Sequence, residues 1–198
     1  MIPIKQQSGF ALLITILVLS VIVAVTLAIV ELSLKQLKLS VDSTDSEIAF
    51  HAANAGLECA RYTRRFKSDD FESGVPVTID CFKTPPVNVT KQSSLGFMVT
   101  GVPDNGSVTR YKHDIDWGTG FGQRCTSIDI ISIVADNEIT IGGPLSQSLK
   151  SRIAGYEADT KICTAGERCT IMSVIGYSSV CSATSNLGVL KREILLEL

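Results

Sequence analysis

The stretch "QQSGFALLITILVLS", residues 6–20, passes from a polar leader into an unbroken apolar run, with Gly9–Phe10 at the join. Three readings compete: a secretory signal that is removed, an ordinary membrane anchor, and a cut site followed by an anchor that is kept. Phe10 to Val30 is 21 residues without a charge. A helix of that length spans roughly 31 Å, close to the hydrocarbon core of a bilayer. A secretory signal has an apolar core of about 7–15 residues, closed by small residues at its cleavage site. Here the core is longer, and the best small-residue candidate, Thr26-Leu27-Ala28, lies inside it. The segment is therefore expected to be retained. Lys5 and the α-amino group precede it, which favours a cytoplasmic N-terminus and places the rest of the chain outside the cytoplasm.

The 198 residues suit one modest domain plus an appendage, and the net charge of −2 gives no sign of a general nucleic-acid surface. Six cysteines, Cys59, Cys81, Cys125, Cys163, Cys169 and Cys181, all follow the apolar segment. In an exported domain an even set reads as a disulfide framework, with fifteen possible full pairings. A zinc site is the rival. There is no C-x-x-C pair, however, and the two histidines, His51 and His113, show no ligand spacing, so no metal or other cofactor is expected.

Beyond the apolar run the chain stays helical in character. Between Phe10 and Phe66 there is no proline, and Gly56 is the only glycine. Leu34, Leu37, Val41, Thr44, Ile48, Ala52, Ala55, Cys59, Tyr62 and Phe66 recur at spacings of three and four, which predicts one apolar stripe. A single rod of roughly 85 Å is expected, half in the membrane and half against a head domain. A membrane helix followed by a separate amphipathic helix is the alternative. The small residues of "AFHAANAGLECA", residues 49–60, permit close approach of other backbone. Seating the helix on its own head accounts for about half of them.

These features together resemble the type IV pilin and pseudopilin superfamily, and the Ala-rich stretch resembles PilX-type minor pilins. The resemblance is specific over residues 6–60 and architectural beyond. It implies cleavage by a prepilin peptidase after Gly9 and N-methylation of the new terminal residue, Phe10. An accessible, extended bond at Gly9, with the helix beginning at Phe10, would suit that cut. It also implies other pilin subunits as partners. In most of the family the fifth mature residue is glutamate, thought to meet the terminal amine of a neighbouring subunit; here it is Ile14. A carboxylate in the membrane costs about 2.5–3.5 kcal/mol, so it is normally there to pair. Ile14 neither incurs that cost nor makes that pair, which implies a minor, tip-proximal or initiating subunit. The helix-bending proline that family members often carry is also missing.

After "RRFKSDDFESG" the periodicity falls to two. Strands are expected within 75–82, 95–102, 107–117, 125–136, 138–143, 149–158, 169–180 and 187–198. "PDNG" at 103–106 predicts a hairpin joining the second and third. In the last strand Leu190, Ile194, Leu196 and Leu198 share a face, and Arg192 interrupts it, where an acid is expected to pair with it. Cys59 on the stripe and Cys81 in the first strand would pin helix to sheet; Cys163 and Cys169 would close the loop "TAGER"; Cys125 and Cys181 remain. Spacing does not fix connectivity, and a Cys59–Cys181 bond would overturn this scheme.

Catalysis is not expected. His51 reads as a boundary residue, and His113 and Asp114 point to opposite faces of one strand, which argues against a relay between them. "GTGFG" at 118–122 is a flexible turn, since it is not G-x-G-x-x-G and no helix follows. "RYTRRFK", residues 61–67, interleaves Tyr62 and Phe66 with cations, a pattern that can hold nucleic-acid phosphates. The stripe puts both rings in the core, and Asp69, Asp70 and Glu72 follow at once, which argues against it. Asn88-Val-Thr90 and Asn105-Gly-Ser107 match the glycosylation triplet, a common chance pattern.

The expected fold is α+β: a long N-terminal helix packed on a mainly antiparallel β-sheet head, pilin-like. Its parts are a leader at 1–9, a transmembrane half-helix at 10–30, an amphipathic half at 31–67 and a disulfide-bearing head at 68–198. The expected function is that of a minor pilin or pseudopilin in a type IV pilus or type II secretion-like filament. The protein would begin as a single-pass protein of the cytoplasmic membrane and end in a periplasmic or extracellular filament. Its head would contact a surface, or DNA. A non-polymerising membrane protein with an exported binding domain is the rival reading.

Overall fold

A computed structural model describes residues 8–81, 86–101, 107–118 and 123–198. The chain divides into two compact units, one up to Thr44 and one from Asp45 to Leu198. A single α-helix, α1 (Ser8–Phe66), contributes to both. "VELSLKQLKLS" is helical throughout, so one helix runs where two were possible.

In the first unit α1 is exposed on every side from Phe10 to Thr44, and it is long and apolar enough to cross a membrane. Hydroxyl groups in such a segment need internal acceptors, because lipid offers none. Within Phe10–Val30 each finds a carbonyl about one turn back: Thr15 Oγ1 donates to Leu12 O at 2.8 Å, Ser20 Oγ to Leu17 O at 2.7 Å, and Thr26 Oγ1 to Ile22 O at 2.6 Å.

In the second unit α1 is followed by α2 (Ser68–Ser73), β1 (Val77–Ile79), β2 (Val87–Val89), β3 (Val99–Thr100) and β4 (Ser107–Trp117). Then come β5 (Arg124–Val134), β6 (Ile139–Gly142), α3 (Leu149–Arg152), β7 (Thr160–Cys163), β8 (Arg168–Tyr177) and β9 (Lys191–Glu197). The main sheet is antiparallel with order β4-β5-β8-β9; β3-β6-β7 form a second sheet and β1-β2 a short ribbon.

Period-two alternation gives the main sheet two apolar faces. Ile128 and Ile130 of β5 and Met172 and Val174 of β8 join Cys59 and Ala60 of α1, with Tyr111, Val77 and Ile79, in one buried cluster. Ile131, Ile133 and Ile171 point the other way, into a cluster with Ile139, Ile141, Leu149 and Ile153. The central strands are thus covered on both sides, and their runs of β-branched residues reflect it.

Four expectations are corrected here. The buried side of α1 is Ala49, Ala52, Ala53, Gly56, Cys59, Ala60 and Thr63, whereas Tyr62 and Phe66 are 57% and 66% exposed. Residues 149–158 are not a strand. Leu149 and Ile153, four apart and both buried, form a helical turn, and Gly155 at φ +77° reverses the chain. Among the described residues no hairpin joins 95–102 to 107–117: β3 pairs with β6 and β4 with β5, while "PDNG" at 103–106 lies outside the described residues. Arg192 Nε donates 2.8 Å to a hydroxyl, Ser46 Oγ on α1, in place of an acid. Two strands were also missed, β2 and β7; at three and four residues each is too short to show a period.

Candidate functional site

The small residues of α1 set how near the sheet can come. A Cβ at Gly176 of β8 would collide with Ala49 O and with the backbone of Ala53, and one at Gly56 would collide with Thr126 Cγ2. Thr126 Oγ1 donates 2.8 Å to Ala52 O and accepts from Trp117 Nε1 at 2.6 Å. With backbone this close, only small side chains fit the seam, so the alanines are occupied by the chain's own sheet.

Three disulfides brace this unit. Cys59–Cys81 joins α1 to the end of the first strand segment, with Cα atoms 5.7 Å apart. Cys125–Cys181, at 4.7 Å, ties the start of β5 to the segment after β8, and Cys163–Cys169, at 6.0 Å, closes the β7–β8 loop. All six sulfurs are so engaged. Asp116 near Cys125–Cys181 and Glu167 near Cys163–Cys169 therefore face disulfides and not thiolates that could ligate a metal.

The proposed processing residues lie at the start of α1. Ser8, Gly9 and Phe10 are already helical, so α1 begins before the Phe10 start expected and the Gly9–Phe10 bond is helical, not extended. Phe10 is exposed, and Ile14, one turn on, presents an apolar side chain on the same exposed helix. The leader residues 1–7 lie outside the described residues.

His51 is exposed on α1, with Nε2 3.7 Å from Glu47 Oε1. His113 is buried in β4 with no partner for either ring nitrogen, and burial lowers its pKa from 6.5 to about 4, against a smaller opposing pull from Asp114. The two histidines thus sit on different elements in opposite environments. Asn88 is exposed in β2 and its Oδ1 accepts from Thr78 Oγ1; Asn105 and residues 119–122 lie outside the described residues.

The basic segment splits into two roles. Arg64 turns inward: its Nη2 donates to Glu72 Oε1 at 2.8 Å and to Ser132 Oγ at 3.2 Å, and its Nε to Thr170 Oγ1 at 3.2 Å. Arg168 reaches the other oxygen of Glu72 at 3.2 Å. Arg61 pairs with Glu58 at 3.0 Å, while Arg65 and Lys67 form no ion pair among the described residues. Between them the rings of Tyr62 and Phe66, exposed and tilted by 43°, lie 4.5 Å apart. Beside them opens a cavity of about 550 Å³, lined by Arg61, Tyr62, Arg65, Phe66, Met172 and Leu198. The objection that both rings are buried is therefore removed, and the patch can offer cations and π-faces to a ligand. Period-3.6 reasoning missed this because the aromatic residues continue the apolar spacing of the membrane half, while the head selects a neighbouring face. No family model, curated protein or solved structure matches this chain.

Proposed function

We propose that this protein is a minor pilin or pseudopilin: a subunit inserted in the membrane by α1, cut after Gly9 by a prepilin peptidase, and drawn into a filament by helix packing. One observation carries the reading. The uncharged segment Phe10–Val30 and the small-residue seam Ala49–Ala60 belong to one unbroken helix, the second half of which is seated on an antiparallel, disulfide-braced head. A membrane anchor needs no such continuity, and a removable signal would not extend into the core of the folded unit. Ile14 in place of a carboxylate supports a tip-proximal or initiating position, where no subunit lies ahead to need that charge. The exposed Tyr62–Phe66 patch is then available to the head as a contact surface.

The test is the intact mass and N-terminal sequence of the membrane-extracted chain, expressed with and without a prepilin peptidase. A chain beginning at methylated Phe10 only when the peptidase is present supports the reading. Retention of residues 1–9 under both conditions leaves an ordinary membrane anchor with an exported domain. Filaments in which this chain predominates along the length would contradict the tip position.

A further inference from the structure

The main sheet ends in two edges, and they are treated differently. The β4 edge is capped: Lys91 bridges to Tyr111, Gln92 N donates 2.7 Å to Arg110 O, and Cys181 N donates to Asp116 Oδ1. The β9 edge has no backbone partner among the described residues, although its side chains Lys191 and Glu197 pair within the chain with Glu193 and Lys161. Thr170 and Leu198 exchange both backbone hydrogen bonds, at 2.8 and 2.9 Å, and Ser178 N donates to Leu190 O. In an antiparallel ladder the bonded pairs alternate, so the even residues of β9 face β8. The N–H and C=O groups of Lys191, Glu193, Leu195 and Glu197 therefore point away from the sheet, and no backbone group among the described residues pairs with them. No proline or glycine interrupts this seven-residue strand.

Charges on an edge strand ordinarily oppose pairing. In β9 their order does the reverse for one partner, a second copy of the same strand. We propose that β9 is a homotypic pairing edge, at which two heads join antiparallel about Ile194 into one continuous eight-stranded sheet. Outward groups must meet outward groups, so the register can change only in steps that keep odd residues opposite odd ones. With Ile194 on the two-fold axis, Lys191 of each copy stands opposite Glu197 of the other, Glu193 opposite Leu195, and Ile194 opposite itself. The neighbouring register on one side puts Glu193 opposite Glu193, and on the other puts Glu193 opposite Glu197. Like charges directly across a ladder are destabilising and opposite ones stabilising, so the sequence "KREILLE" selects the central register. Ile194, Leu195 and Leu196 are only half-buried within one copy and gain cover from a second.

The test uses the full chain in detergent micelles, made without a prepilin peptidase so that it stands apart from filament assembly. Across a non-bonded antiparallel pair the Cα atoms lie about 4.5 Å apart, within disulfide reach. Ile194→Cys should therefore yield a covalent dimer on mild oxidation, with a peptide joined to its own copy through position 194. A cysteine at exposed Ser182 should not. Adding Glu193→Pro should abolish the dimer without lowering the unfolding temperature, because that N–H faces outward and proline is tolerated there in a lone edge strand. Independently of Ile194, sedimentation should show a dimer that Lys191→Glu dissociates and Lys191→Glu with Glu197→Lys restores. No cross-link above the Ser182 control, or a dimer indifferent to Glu193→Pro and to charge reversal, would overturn the proposal. Dimers held through the membrane helices, or an edge reserved for another protein, would give those results.

Discussion

Gly176 lies directly beneath the backbone of Ala53, so close that a single added Cβ would meet the amide nitrogen and Cα of Ala53 and the carbonyl oxygen of Ala49. Both obstacles are main chain, which cannot step aside as a side-chain tip can. Gly176→Ala should therefore lift α1 off the sheet and destabilise the head by about 3 kcal/mol, the upper end of the usual range for overpacking. Gly166→Ala, where a Cβ meets nothing within 4 Å, adds strain only at φ +81° and should cost less. Chemical unfolding of the two variants checks the order; equal losses would mean the contact does not limit packing.

Arg110 and Asp129 form a buried, two-pronged pair, with Nε to Oδ1 at 2.9 Å and Nη2 to Oδ2 at 2.5 Å. Arg110 also donates to Arg152 O at 3.1 Å and to Leu95 O, and its guanidinium lies 5.6 Å from the Phe97 ring centre. Asp129→Ala leaves a desolvated cation and should cost about 3–5 kcal/mol. Arg110→Met with Asp129→Leu removes both charges and should recover most of that loss. The comparison is read from urea midpoints at equal slope. Failure of the double variant to recover would show that the carbonyl contacts of Arg110, not the ion pair, hold this layer together.

His113 is a buried base without a hydrogen-bond partner, and burial is the main reason its pKa falls to about 4. The unfolded chain takes up its proton near 6.5, the folded chain only near 4. Above pH 6.5 the ring is neutral in both states and adds no pH dependence. As pH falls from 6.5 toward 4 the unfolded state binds more protons, so stability drops by up to about 3 kcal/mol from this group. His113→Leu should flatten that part of the pH dependence and raise stability at pH 5. An unchanged slope between pH 6.5 and 4 in the variant would assign acid sensitivity to other groups.

The Cys59–Cys81 bond is the covalent tie between α1 and the β1 segment. Replacing both cysteines by alanine should lower head stability by about 2–4 kcal/mol. Trypsin digestion of the native protein without reduction should release Cys59–Cys81, Cys125–Cys181 and Cys163–Cys169 peptides. A Cys59–Cys181 peptide would contradict the fold.

Much of the head is legible in the sequence because local alternation writes it there. "SVTRYKHDIDW" is β4 residue for residue, and the strands expected at 125–136 and 169–180 differ from β5 and β8 only at their ends. The three disulfides match the scheme that paired helix with first strand and closed "TAGER" locally. Segments without enough length to show a period, β2 and β7, were not visible. Residues 149–158 hold Leu149 and Ile153 at helical spacing, but a helix of four residues is a single turn, too short for a 3.6-residue period to stand out against a strand.

By itself, then, the sequence determined element type: an uncharged helix long enough to span a bilayer, its uninterrupted continuation to Phe66, and the alternating strands beyond. These are properties of the backbone and of each residue's own side chain, and they are settled over a few turns of chain. Only the tertiary structure decided which side of α1 is buried, which strands are neighbours and which edge has no backbone partner among the described residues. Spacing alone cannot choose between the face of Ala52, Gly56 and Cys59 and the face of Tyr62 and Phe66. That choice was made by Gly176, more than a hundred residues away, which brings a strand so near that only the small face fits.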